Sequence, residues 1–131
     1  MAKSKILKEA EAIISIDARG FIFGSAISIQ SSKPMIVARK PGKLPGEIVS
    51  KKYSLEYGEN SLSIQKRALK KYNSFAIVDD LLATGGTAEA TCKLVSKLKG
   101  NIIGFTVLVE LEFLEGRKRL KQYNVHSLVK Y

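Results

Sequence analysis

The sequence predicts a single α/β domain with a mainly parallel five-stranded sheet flanked by helices, and three observations carry that prediction. Short apolar runs alternate with helical stretches along the whole chain, the order that strand–helix–strand units require. Glycine, threonine and acidic residues cluster at the carboxyl ends of those runs, where an open α/β sheet binds its ligands. The 131 residues suit one core, since a chain of this size buries roughly two-thirds of its unfolded surface.

The opening MAKSKILKEAEA can form at most a short helix. Residues 13–17 read as a buried strand, and 21–31 as a helix whose Gly24, Ser25 and Ala26 permit close packing. Residues 35–39 form the second strand. Residues 40–52 carry the turn chemistry of a long loop, with Pro41-Gly42 and Pro45-Gly46, and 53–65 alternate like a two-stranded ribbon folded about Gly58-Glu59-Asn60. The stretch of about 40–66 therefore reads as a flexible flap. Residues 75–79 are the third core strand, 87–98 its helix, 102–111 the fourth strand, 116–122 a short helix and 125–129 the last strand. This order sets Asp17-Ala18-Arg19-Gly20, Arg39-Lys40, the 79–87 loop and Glu110-Leu111-Glu112 along one rim of the sheet.

Composition narrows the function classes. With 45% hydrophobic and 26% charged residues and no low-complexity tract, the chain is globular rather than disordered. Its apolar runs fall far short of the ~20 residues a membrane span needs, and Lys8, Glu9 and Glu11 interrupt any signal peptide. A soluble cytoplasmic protein with no membrane role is expected. Cys92 has no disulfide partner and reads as a core residue, while His126 receives no role. The net charge of +10 points to an anionic ligand or partner. Lys66, Arg67, Lys70 and Lys71 form one basic cluster and Arg117, Lys118, Arg119 and Lys121 another, both read as solvated faces. No aromatic stacking pattern accompanies the first cluster, so nucleic-acid binding ranks last.

Residues 75–90, FAIVDDLLATGGTAEA, carry the most chemistry. Glycines let backbone N–H groups converge, the hydroxyls of Thr84 and Thr87 add donors, and the positive end of the following helix favours an anion. Asp79 and Asp80 would repel a bare phosphate but can accept hydrogen bonds from sugar hydroxyls or hold Mg²⁺. A sugar phosphate satisfies both halves. Thr-Gly-Gly-Thr alone is equally an ordinary turn between strand and helix. The joined pattern is more specific, and the loop lacks the Gly-Lys-Ser/Thr ending of a Walker loop.

That joined pattern resembles the phosphoribosyl-pyrophosphate signature of the type I phosphoribosyltransferases. From about residue 13 onward the chain is similar to their adenine-specific members, in IDARGFIFG (16–24), RKPGKLPGE (39–47), YSLEYG (53–58) and LVELEFLEGR (108–117). The resemblance implies transfer of phosphoribosyl from phosphoribosyl pyrophosphate to adenine, giving AMP and pyrophosphate with Mg²⁺, a step of purine salvage. It implies that Ala83, Thr84, Gly85, Gly86 and Thr87 bind the 5′-phosphate. Asp79 and Asp80 would hold the ribose hydroxyls, directly or through water and Mg²⁺. Asp17, Ala18 and Arg19 would face the pyrophosphate across a cis Asp17–Ala18 peptide, with Arg39 and Lys43 supplying cations. Leu111 would pack against the base. Glu56 and Tyr57 would lie on a flap that closes over the substrates, with Glu56 handling the proton at the purine imidazole.

Members of this family carry a longer segment before the first strand, a hood that reads the adenine edge, and they are homodimers. Only twelve residues precede Ile13 here, so the expectation is a core domain over 1–131 without the hood. A second reading follows from that, a truncated or regulatory module that binds phosphoribosyl pyrophosphate or a nucleotide without turnover.

Overall fold

The computed structural model describes residues 1–55 and 58–131. Along the chain run α1 (Lys5–Glu9), β1 (Ala12–Ile16), α2 (Gly20–Ser31), β2 (Met35–Ala38), β3 (Ile48–Leu55), β4 (Gly58–Gln65), α3 (Lys66–Lys70), β5 (Ser74–Leu82), α4 (Gly86–Lys97), β6 (Asn101–Glu110) and β7 (Asn124–Lys130). Two 3-10 segments, Glu112–Leu114 and Gly116–Leu120, precede the last strand. Five strands form one sheet in the order β2-β1-β5-β6-β7, every neighbouring pair parallel, and β3 and β4 form a separate antiparallel ribbon.

The apolar runs are continuous because the sheet is covered on both faces. Along β5, Phe75 and Ile77 share a core with Leu94 and Val95 of α4, while Ala76 and Val78 share another with Ile6 and Leu7 of α1 and Ile27 of α2. Cutting a fully buried side chain such as Ile77 back to alanine removes about 2–5 kcal/mol. The expected small residues of α2 do allow close approach, since a Cβ at Gly24 would lie 2.3 Å from Ser15 Oγ.

This strand order also locates the ligand crevice. The chain leaves β1 toward β2 on one side and returns to β5 on the other, so the topological switch point falls between β1 and β5. The loops after those two strands open into the crevice that such a reversal creates.

Several sequence-based boundaries move. The loop after β2 is shorter than expected, because β3 already begins at Ile48, with Val49 buried against the core. The proline–glycine turns fall within this shorter loop, where Gly42 and Gly46 hold φ of 83° and 74°. Gly58, Glu59 and Asn60 are not the ribbon's turn; they are strand residues paired with Leu55, Ser54 and Tyr53. β5 does not stop at the acids, since Leu81 and Leu82 continue the ladder opposite Val109 and Glu110. The expected helix after residue 115 is a 3-10 segment, and Lys66–Lys70, read only as a charge cluster, is a short helix that buries Leu69. His126 lies inside β7 opposite Thr106, within the strand expected over 125–129. Cys92 is buried in α4 as expected, and burial pushes its thiol up to about 12, leaving it an inert core residue.

Candidate active site

A cavity of about 560 Å³ opens at the switch point between the loops that follow β1 and β5. Its phosphate-loop wall follows from local geometry. Gly85 holds a left-handed φ of 83° as the residue preceding α4, and a Cβ there would come within 2.7 Å of Gly116 O. Conformation and close approach both require glycine. Gly116 in turn has no room for a side chain, because its Cβ would lie 2.2 Å from Ala83 O. The 83–85 backbone is thus seated against residue 116, with the first N–H groups of α4 beside the cavity.

Residue 116 is held by a brace. Glu110, 3% exposed at the end of β6, receives Arg117 through two bonds, Nε to Oε1 at 2.5 Å and Nη2 to Oε2 at 2.7 Å. Ser127 of β7 donates to the same carboxylate at 2.7 Å, and Arg117 reaches the Val125 carbonyl at 2.9 Å. Arg117 holds the Glu110 carboxyl below its ordinary range. Glu110 is therefore a buried structural anion rather than part of an open rim.

The two aspartates differ in environment. Arg19 pairs with Asp80 across the crevice. Asp79 lies against the start of α2, where a Cβ at Gly20 would meet its Oδ1 at 2.8 Å, and it accepts the Asp80 N–H at 2.9 Å. Burial, with the neighbouring Asp80 charge, pushes Asp79 up to about 8. The Asp17–Ala18 peptide is cis, and Asp17 receives Arg39 Nε at 2.9 Å.

The cavity gathers Asp17, Ala18, Arg19, Asp79, Asp80 and the whole of residues 83–87. It does not gather all the expected residues. Arg39 is turned to Asp17, with its guanidinium 5.8 Å above the Phe21 ring. Lys43 stands exposed on its loop. Leu111 sits beyond β6, its N–H donated to Leu82 O at 2.9 Å, outside the cavity lining. Glu56 and Tyr57 lie outside the described residues. Conversely, Tyr53, Asn60, Ser61 and Leu62 of the ribbon line the cavity and were not singled out. Tyr53 was legible as the first residue of YSLEYG; the others depended on how the ribbon docks. That docking is fixed at Arg39 and Ser63, which exchange backbone bonds of 2.9 and 2.7 Å and tie β4 to the end of β2.

Among the described residues no group of three or more metal-binding side chains forms a protein cage. Asp79 and Asp80, adjacent carboxylates lining the cavity, are oxygen donors of the kind a hard divalent cation takes.

A phosphoribosyl transferase domain matches residues 2–130. An adenine phosphoribosyltransferase of Prochlorococcus marinus (strain MIT 9312) is 73% identical over 119 residues, covering 91% of this chain and 70% of the relative. The crystal structure of adenine phosphoribosyltransferase from Thermoanaerobacter pseudethanolicus superposes with a TM-score of 0.89 at 45% identity, covering 97% of this chain and 75% of that one. The Saccharomyces cerevisiae adenine phosphoribosyltransferase, solved with adenine and an imino-altritol bisphosphate, superposes with a TM-score of 0.81 at 35% identity, covering 92% of this chain and 67% of that one. The chain belongs to the phosphoribosyltransferase family, among the adenine phosphoribosyltransferases.

Proposed function

We propose that this chain is a cytoplasmic, homodimeric enzyme of purine salvage that transfers phosphoribosyl from phosphoribosyl pyrophosphate to adenine, giving AMP and pyrophosphate. The observation that carries the reading is the cavity in which a glycine-rich helix N-terminus and an acidic pair face each other at the switch point. Its two halves suit the two halves of a ribose 5-phosphate.

The backbone N–H groups and hydroxyls of residues 84–87 bind the 5′-phosphate, and Asp79 and Asp80 accept from the ribose hydroxyls. As the bond from the anomeric carbon to pyrophosphate breaks, negative charge builds on the leaving group, so catalysis rests on positioning and on fixed electrostatics. Arg19 and the backbone of the 17–19 loop face that charge. Arg39, held in place by Asp17, and Lys43 add charge-assisted bonds of ~1.5–3 kcal/mol each. Leu111 packs against the base, Tyr57 covers the substrates, and Glu56 handles the proton at the purine imidazole. Asp79 and Asp80 would hold Mg²⁺, directly or through water, and the ion would supply further neutralisation of the leaving group. The homodimer is supported by α2, whose outward Ile22 and Ile29 are 69% and 82% exposed.

The test is to mix the purified chain with Mg²⁺, phosphoribosyl pyrophosphate and each purine base in turn, following nucleotide and pyrophosphate. AMP formed from adenine alone is the expected outcome. No nucleotide from any base, with phosphoribosyl pyrophosphate still bound, would contradict the transferase and leave a binding module.

A further inference from the structure

We propose that Tyr53 is a positioning residue for the 5′-phosphate, its hydroxyl orienting that of Thr87 and so linking occupancy of the phosphate loop to the ribbon. The proposal rests on the reading of residues 84–87 as a phosphate seat, and it goes beyond that reading by giving a role to a side chain on a separate element. Tyr53 lies on β3, paired with Asn60 of β4, and packs against the core. Its hydroxyl lies 3.3 Å from Thr87 Oγ1, at the start of α4. The ring also lies over the loop's glycine, for a Cβ at Gly86 would come 3.8 Å from Tyr53 Cδ2 and 3.8 Å from Ser54 O. Tyr53 and Gly86 line both the site cavity and a neighbouring cleft of about 340 Å³, so together they form the partition between the two.

The chemistry of two hydroxyls makes this contact directional. Each has one proton to donate and two lone pairs to accept with. As the two hydroxyls stand, Thr87 Oγ1 donates to the Tyr53 oxygen. A phosphate dianion can only accept, so Thr87 must turn its proton to the phosphate, which frees a lone pair for the tyrosine proton. The contact then reverses into a chain from Tyr53 O–H to Thr87 O–H to phosphate, each bond polarising the next. Removing only the tyrosine oxygen leaves the ring's packing in place and deprives Thr87 of the partner that fixes its rotor.

The experiment is calorimetric titration of ribose 5-phosphate, and separately of inorganic pyrophosphate, into wild type, Tyr53→Phe, Thr87→Val and the double variant, with thermal melts to verify the fold. Tyr53→Phe should weaken ribose 5-phosphate about 3- to 10-fold, the range of one neutral hydrogen bond, and leave pyrophosphate binding and the melting temperature unchanged. In the Thr87→Val background the same substitution should have no further effect on ribose 5-phosphate. Equal loss for both ligands, or an equal loss with and without Thr87, would overturn the proposal and make Tyr53 a structural support. Wild type that binds ribose 5-phosphate and a Tyr53→Phe variant that binds it equally well would overturn the positioning role alone. Wild type that fails to bind ribose 5-phosphate would overturn the phosphate seat and the proposal with it.

Discussion

Asp79 concentrates the chemistry of this site at the residue scale. Burial beside the start of α2 and the neighbouring Asp80 push its carboxyl from an ordinary 3.8 up to about 8. The folded chain therefore binds this proton more tightly than the unfolded chain does. Its contribution to stability is fully present below about pH 4 and is lost as the pH rises through about 8. Asp79→Asn should remove that loss, so the ligand-free variant should melt higher than wild type at pH 9, by about 1–3 kcal/mol of stability, while turnover falls at least ~100-fold. Thermal melts across pH check the first part; parallel profiles for the two proteins would contradict it. The adjacency of the two acids was plain in the sequence. Their unequal environments were not, because Gly20 and Arg19 reach them from some sixty positions away along the chain. The same limit explains Arg39 and Leu111: their loops were placed at the right end of the sheet, but the Arg39 side chain is directed by Asp17 and Phe21, and Leu111 is tied by its backbone N–H to Leu82.

Among the elements, the phosphate loop depends on a support that lies outside the cavity lining. The 3-10 segment Gly116–Leu120 presents Gly116 to the 83–85 backbone, and Arg117 anchors that segment to Glu110 between β6 and β7. Arg117→Ala would leave the Glu110 carboxylate with Ser127 as its remaining partner, at a cost of about 1–3 kcal/mol. Urea denaturation should show that loss. Glu110→Gln combined with Arg117→Met should recover part of it, since the unpaired charge is then gone; a double variant no more stable than Arg117→Ala would contradict the brace. LVELEFLEGR was legible as a motif, yet its first glutamate, Glu110, was placed at an open rim. Spacing showed where β6 ends but not that Glu110 turns toward Arg117 and Ser127. The ribbon boundaries failed for a related reason. Lys51, Lys52, Glu59 and Asn60 make a mostly polar alternation, so only the pairing of β3 with β4 shows how far the strands extend.

For the molecule as a whole, strand–helix alternation was enough to foresee a five-stranded, mainly parallel sheet with its ligand loops at one end, because right-handed crossovers leave few other topologies. The structure makes that sheet wholly parallel. The outer face of α2 was less legible: a helix apolar on nearly every side is read as buried, yet Ile22 and Ile29 are exposed in the single chain. In the proposed dimer that face is covered. Ile22→Lys with Ile29→Lys should shift the sedimentation coefficient from dimer to monomer, and a wild-type chain that sediments as a monomer would contradict the assembly. The net charge of +10 fits an anionic substrate at this scale.

The central claim is that the cavity at the switch point receives a ribose 5-phosphate. A crystal structure of the chain with AMP tests it most directly. The expected result is the 5′-phosphate on the N–H groups and hydroxyls of residues 84–87, with the ribose hydroxyls on Asp79 and Asp80. AMP bound elsewhere, or with its phosphate away from that loop, would contradict the account.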